Sequence, residues 1–139
     1  MHKFGEFHEE QYANHLCMAI DKDRGGLVMF EPNLTVGSEV QLMRRSIDLD
    51  YIGVRARQLF DRIGDRVPFF ALYIDCAGRA SAICNTERED ASEVQKVLTE
   101  RGVPLLGMYT GVEIATVAGS VQALDWTGVL CVFSEGHQL

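Results

Sequence analysis

Two short stretches hold the side chains that could do chemistry. The first is Tyr73-Ile74-Asp75-Cys76-Ala77-Gly78-Arg79, where an apolar run ends in an acid, a thiol, a glycine and a guanidinium. The second is Gly107-Met108-Tyr109-Thr110-Gly111-Val112-Glu113-Ile114, with two hydroxyls and a carboxylate. Cys76 as a nucleophile would need to be a thiolate, and the nearby charge of Arg79 would favour one. A general base is also needed. The four histidines, His2, His8, His15 and His137, sit toward the chain ends and read as mostly solvated. Cys76 is therefore better read as a packed, non-catalytic thiol, and no catalytic residue is assigned.

Arg79 offers five donors in a rigid fork that matches a carboxylate. At a strand end it would stand at the rim of a sheet, where pockets often form. The carboxylate it holds could be a ligand's or the protein's own, with Glu113 as the internal candidate, and both readings stay open. Gly78, directly after a strand, would allow positive φ or the close approach of another group. Tyr109 and Thr110 supply hydroxyls, and Glu113 supplies an acceptor for an ammonium group. Gly107 and Gly111 suggest a bulge or tight bend. Met108 and Trp126 read as core.

The whole composition limits what such residues can serve. The chain has 139 residues, 47% of them apolar and 24% charged, which suits one globular domain with a real core. A net charge of −7 repels phosphate backbones, so nucleic acid is not an expected partner. Arg44, Arg45, Arg55, Arg57, Arg62 and Arg66 concentrate in mid-chain and read as a solvated helix face. Cys17, Cys76, Cys84 and Cys131 are far apart with no Cys-x-x-Cys, so no zinc site is expected. Asp21-Lys22-Asp23-Arg24-Gly25 resembles the start of a calcium loop, but the twelfth position is Pro32, which cannot ligate. Polar first residues and unpaired thiols point to the cytoplasm, and no apolar run is long enough to span a membrane.

The elements that must position these side chains follow from periodicity. Leu16–Ile20 and Leu27–Phe30 flank the turn signal Asp21–Gly26 and read as a hairpin. Pro32-Asn33 and Gly37 bracket a loop before a strand at Val40–Met43. Leu49, Ile52, Ala56, Leu59, Phe60 and Ile63 recur at helical spacing, with Asp48 as N-cap and Gly64 as stop. Phe69–Ile74 is an unbroken apolar run, as expected of a strand at the centre of a sheet and buried on both faces. Thr86-Glu87-Arg88-Glu89 fits a capping box, which predicts a second helix starting at Thr86 and ending at Arg101-Gly102. A strand follows from Leu105, and Val121–Leu124 and Gly128–Phe133 read as two closing strands of a meander. The expected fold is α+β in one domain over 1–139: a mostly antiparallel sheet with two main helices packed on it, in the order β-β-β-α-β-α-β-β.

Taken together and in this order, Cys76-Ala77-Gly78-Arg79, a helix, Pro104-Leu105-Leu106-Gly107-Met108-Tyr109 and Glu113-Ile114 resemble the FIST family. More narrowly, they resemble the C-terminal half of FIST sensory domains. The hairpin around Gly25-Gly26 and the segment Val36–Leu42 extend the resemblance to nearly the whole chain. FIST domains occur in bacterial signal-transduction proteins and in eukaryotic F-box proteins. They are regarded as intracellular sensors of small ligands, amino acids being proposed, with no established catalytic activity or cofactor.

The resemblance implies a non-catalytic, cytoplasmic, bacterial sensory domain without metal or cofactor. Arg79 would take a ligand carboxylate and Glu113 its amine, with Tyr109, Thr110, Cys76 and Gly78 beside them. Two positions depart from the family pattern: Val112, where glycine is usual, and Ala80, where a further glycine is common. The expected partners are a small molecule, a signalling protein, the N-terminal half of the module, or a second copy as a homodimer. Two other readings remain. One is a protein–protein interaction domain in which Arg79 and Glu113 only hold a sheet edge; the other is a thiol-dependent enzyme using Cys76.

Overall fold

The computed structural model describes residues 3–8, 11–30, 34–44, 49–117 and 119–136, with side chains from residue 13 onward. Its elements are β1 (Lys3–His8), β2 (Gln11–Asp21), β3 (Gly26–Met29), β4 (Val40–Met43), α1 (Asp50–Ile63), β5 (Pro68–Cys76), a 3-10 turn (Ala77–Arg79), α2 (Ser81–Cys84), α3 (Asp90–Glu100), β6 (Leu105–Thr110), β7 (Glu113–Val117), β8 (Ser120–Leu124) and β9 (Gly128–Ser134). The fold is α+β with mostly antiparallel pairing. The residues gather into two compact units: Met1–Arg45 with Val112–Thr127, and Ser46–Gly111 with Gly128–Leu139.

The first unit holds an antiparallel sheet in the order β3-β2-β1-β4 and the hairpin β7-β8. The expected turn forms at Asp21–Gly26. The Asp21 carboxylate accepts from the backbone N–H groups of Asp23 and Arg24, and Gly25 takes φ +64°, which glycine adopts without strain. Ala13, Val117 and Leu124 form a small core, with Ala115 packed against it.

The second unit is a helix layer on a three-stranded sheet ordered β6-β5-β9. β5 is central, parallel to β6 and antiparallel to β9. The parallel pair requires a crossover, and α3 supplies it. Along α1, Leu49, Ile52, Ala56 and Phe60 form the buried stripe, and Val94, Val97 and Leu98 do so along α3. Both stripes meet Ala71 and Tyr73 of β5 in one core. Gly64 at φ +65° and Gly102 at φ +66° lie just past the two helices, as read from sequence. Arg55, Arg57 and Arg62 are exposed on α1; Arg66, past its end, and Arg44, in the first unit, are also exposed. Arg45, Asp48 and Pro32-Asn33 lie outside the described residues.

Several local expectations are corrected. The second helix begins at Asp90, not Thr86, because Glu89 is used elsewhere. Its carboxylate accepts the backbone N–H of Ser81 at 3.1 and 3.0 Å and the hydroxyls of Ser81 and Tyr109. These donors outweigh the single N–H that a capping box at Thr86 would offer. Thr86 instead donates to the Arg88 carbonyl, and the short α2, not among the expected elements, lies before it. The last two strands are not a meander: β8 pairs with β7, while β9 pairs with β5. Trp126, between them, adopts φ +57°.

Candidate ligand site at the parallel strand ends

β5 and β6 end side by side, with Asp75 opposite Tyr109 and Cys76 opposite Thr110. The 3-10 turn then carries Gly78 and Arg79 over this edge. Five of the six residues singled out in the sequence thus converge on the carboxyl ends of a parallel pair. Ligands in open α/β sheets bind outside such ends. Side chains alternate along a strand, so the five divide between two faces. Tyr109 lies on the helix side with Asp75 and Tyr73, while Cys76 and Thr110 lie on the opposite side.

Arg79 is locked in place. Its Nε–H donates to Asp90 Oδ2 at 2.6 Å, and its Nη2 pairs with the same oxygen. Nη2 also donates to the Tyr51 hydroxyl at 2.8 Å, and Nε lies 3.4 Å from Asp75 Oδ1. Arg79 is 8% exposed, Asp75 2% and Asp90 0%, so the ion pairs are inside the unit. The carboxylates that Arg79 holds are therefore carboxylates of this chain. Burial works against the charged guanidinium, but the oxygens of Tyr51 and Asp90 more than offset it, and Arg79 keeps its proton more tightly than a free arginine. Burial, reinforced by Asp75, pushes the Tyr73 hydroxyl well above its ordinary value. Partial burial and the hydrogen bond to Glu89 do the same for Tyr109.

Glu113 belongs to the other unit. It is buried at the start of β7, and its Oε2 lies 3.4 Å from the backbone N of Thr127, which donates to it. Gly78 does not take a positive φ: it sits in a 3-10 turn, and its carbonyl accepts from the Cys84 thiol. Cys76 is buried. Met108 is about half exposed rather than core, and His15 is buried rather than solvated. The side chains of His2, His8 and His137 lie outside the described residues. Among the described residues, no group of three or more His, Cys, Asp or Glu is placed to hold a metal ion, and no helix is long and apolar enough to cross a membrane.

The partners that sequence reasoning passed over are Asp90, Tyr51 and Glu89. A signal for Asp90 was available. It stands four residues before Val94 and seven before Val97, on the buried stripe of α3, where an aspartate needs a cation. Tyr51 lies off the α1 stripe and offered no such signal.

No curated protein and no solved structure matches the chain. The sequence pattern of the FIST C domain matches residues 2–116, which takes in both strand ends and Glu113. The chain therefore belongs to the FIST C domain family, whose members are sensory domains of signal transduction.

Proposed function

We propose that the chain senses a small amino acid or a related molecule without transforming it, and that the ligand sits at the carboxyl ends of β5 and β6. The observation that carries this reading is the convergence of Arg79, Tyr109 and Thr110, with Cys76 and Gly78, on that edge. The chemistry of the edge narrows the ligand. A ligand carboxylate would have to compete with Asp75 and Asp90 for Arg79. A ligand amino group would instead be attracted by the same acids and by Glu89, whose partner Tyr109 is half exposed. Arg79 then acts as a positioning residue that holds Asp75 and Asp90 in place, and Tyr109 and Glu89 meet the ligand. Binding would favour one arrangement of the strand-end turn only by its differential affinity for that arrangement, and an attached or associated output protein would read the change. A cytoplasmic, bacterial signalling context belongs to the same reading.

The test is thermal stability against three panels: amino acids, amines without a carboxylate, and carboxylates without an amine. A ligand at a hundred times its dissociation constant adds about 2.7 kcal/mol, a rise of roughly 5–10 °C for a chain of this size. Amino acids and amines should raise the melting point, and the rise should shrink in Tyr109→Phe and Glu89→Gln. A response to carboxylates alone would reverse the charge assignment, and no response to any panel would overturn the reading. The pairing of Arg79 with Asp75 and Asp90 favours a second reading, a protein–protein interaction domain in which Arg79 only braces the strand end; that reading predicts no ligand response.

A further inference from the structure

Between Arg79 and Asp90 the chain leaves the sheet and comes back. The buried pair of these two residues closes the neck of the loop, with Nε 2.6 Å from Oδ2. The loop and the groups it touches all belong to the second unit. Ala80 and Glu89, just inside the neck, have extended backbone, with ψ +139° and +143°. Residues at element ends such as these are where a segment can hinge. Residues 80–89 give no side chain to the hydrophobic core of the unit, and their one large apolar residue, Ile83, stands outside it. The backbone N–H groups of Ile83, Cys84, Asn85 and Thr86 donate to the carbonyls of Ala80 or Ser81. The loop is thus packed on itself, as compact surface loops with joined ends are.

α2, inside this loop, is four residues long, too short to persist as a helix by itself. Glu89 holds it. The carboxylate accepts the N–H and the hydroxyl of Ser81, the first residue of α2, and it accepts the Tyr109 hydroxyl on β6 at 2.7 Å. One side chain therefore orders the loop and fastens it to the strand end, through charge-assisted bonds. Arg88 adds pairs to Asp50 and Glu93 from a half-exposed position, where ion pairs contribute little.

We propose that residues 80–89 form a lid at the ends of β5 and β6, latched by Glu89, which opens by local unfolding while the rest of the second unit stays folded. When the Glu89 carboxylate lets go, Tyr109 is freed and α2 loses the group that holds its first residue, so latch and helix are lost together. The Arg79–Asp90 pair at the neck keeps the opening from spreading into β5 and α3. A segment with no core contacts belongs to the low-stability end of a fold, and its order–disorder change is a usual form of switch. The lid deepens the sensing reading, and its role there rests on that reading. An ammonium group that takes Glu89 from Tyr109 releases the latch, and the lid is then the part of the molecule that changes on binding.

The test is amide hydrogen exchange of the full chain, read by peptide mass spectrometry. It needs no ligand, so a lid that fails leaves the thermal-shift result standing, and a chain that binds nothing can still show the lid. In the wild type the amides of residues 81–86 should be protected, yet exchange well before those of α1, α3 and β5. Glu89→Gln should speed the lid amides roughly tenfold or more, the effect of weakening a charge-assisted bond, while α3 and β5 keep their rates. Tyr109→Phe and Ser81→Ala, which each remove one donor and spare the carboxylate, should move the same amides in the same direction by less. Trypsin should cut after Arg88 before it cuts after Arg55, Arg57 or Arg62 of α1, although all four are exposed. Lid amides that exchange in step with those of α3 would overturn the proposal, because the loop would then open only with the whole unit. So would lid amides with no protection in the wild type, or a Glu89→Gln rate within twofold of it.

Discussion

Replacing Arg79 by alanine should strongly destabilise the second unit, even with no ligand present. The guanidinium is inside the unit, between Asp75 and Asp90, and it also donates to Tyr51. Its removal leaves carboxylates packed at 0–2% exposure without the cation that now sits between them. Breaking a buried pair by removing one partner costs about 3–5 kcal/mol. For a domain of this size that lowers the melting point by roughly 10 °C or more. The molecule supplies its own control. Arg57 and Glu100 also form a pair, at 3.1 Å, but both side chains are about half exposed, and Arg57→Ala should cost only ~0–1 kcal/mol. The assay is urea unfolding followed by circular dichroism, with Arg79→Ala, Arg57→Ala, Asp90→Asn and the Arg79→Ala/Asp90→Asn double variant. The double variant should lose less than the sum of its two single changes, because the pair acts as one unit. A loss below ~1 kcal/mol for Arg79→Ala would refute the placement of Arg79 between buried acids, since that is the loss expected of an exposed pair.

Two other changes probe the same end of the sheet. In Gly128→Ala the new Cβ would land on the Tyr73 hydroxyl and 2.8 Å from its Cζ, so the ring must move. A loss of about 1–3 kcal/mol is expected in chemical denaturation, reduced but not abolished when Tyr73→Phe removes the hydroxyl. Titration of the tyrosines at 295 nm should show Tyr73 and Tyr109 ionising late, because both sit above their ordinary value of 10.0 in the folded protein. A raised folded value means that their contribution to stability is fully present below about pH 10 and is lost as pH rises above it. Tyr109→Phe should remove one phenol from the late group; if it removes an early one, the bond to Glu89 is absent in solution.

Much of this architecture was legible because local signals and packing agree. The Asp21–Gly26 turn, the α1 stripe and the stops at Gly64 and Gly102 each depend on neighbouring residues alone. The central place of β5 was legible from its unbroken apolar run. Misreadings occurred where a side chain had distant alternatives. Glu89 looked like the third residue of a capping box, but it is drawn to Ser81 and Tyr109, and only the folded chain brings them near. β8 and β9 are close in sequence, yet each finds a different partner strand, a choice made by long-range pairing. The convergence of Arg79, Cys76, Tyr109 and Thr110 could be read from their positions at strand ends. The carboxylates on Arg79 could not, since a guanidinium fork fits Asp75, Asp90, Glu113 or a ligand equally well.

The route of the chain through its two units has a consequence for folding. It passes from one unit to the other after Arg45, returns after Gly111, and crosses again after Thr127. Neither unit is a single stretch, so no one cut can release either of them whole. The second unit's sheet closes only when β9, which follows β5 by about fifty residues, finds it: Asp75 waits for Gly128, and Phe70 for Phe133. Until then one edge of the central strand is open, with apolar side chains on both of its faces. During synthesis the helices can form early, but the sheet cannot close before β9 is available. Folding of this unit should therefore be slow, limited by closure of this long loop, and the chain is most prone to aggregate while β5 still lacks β9.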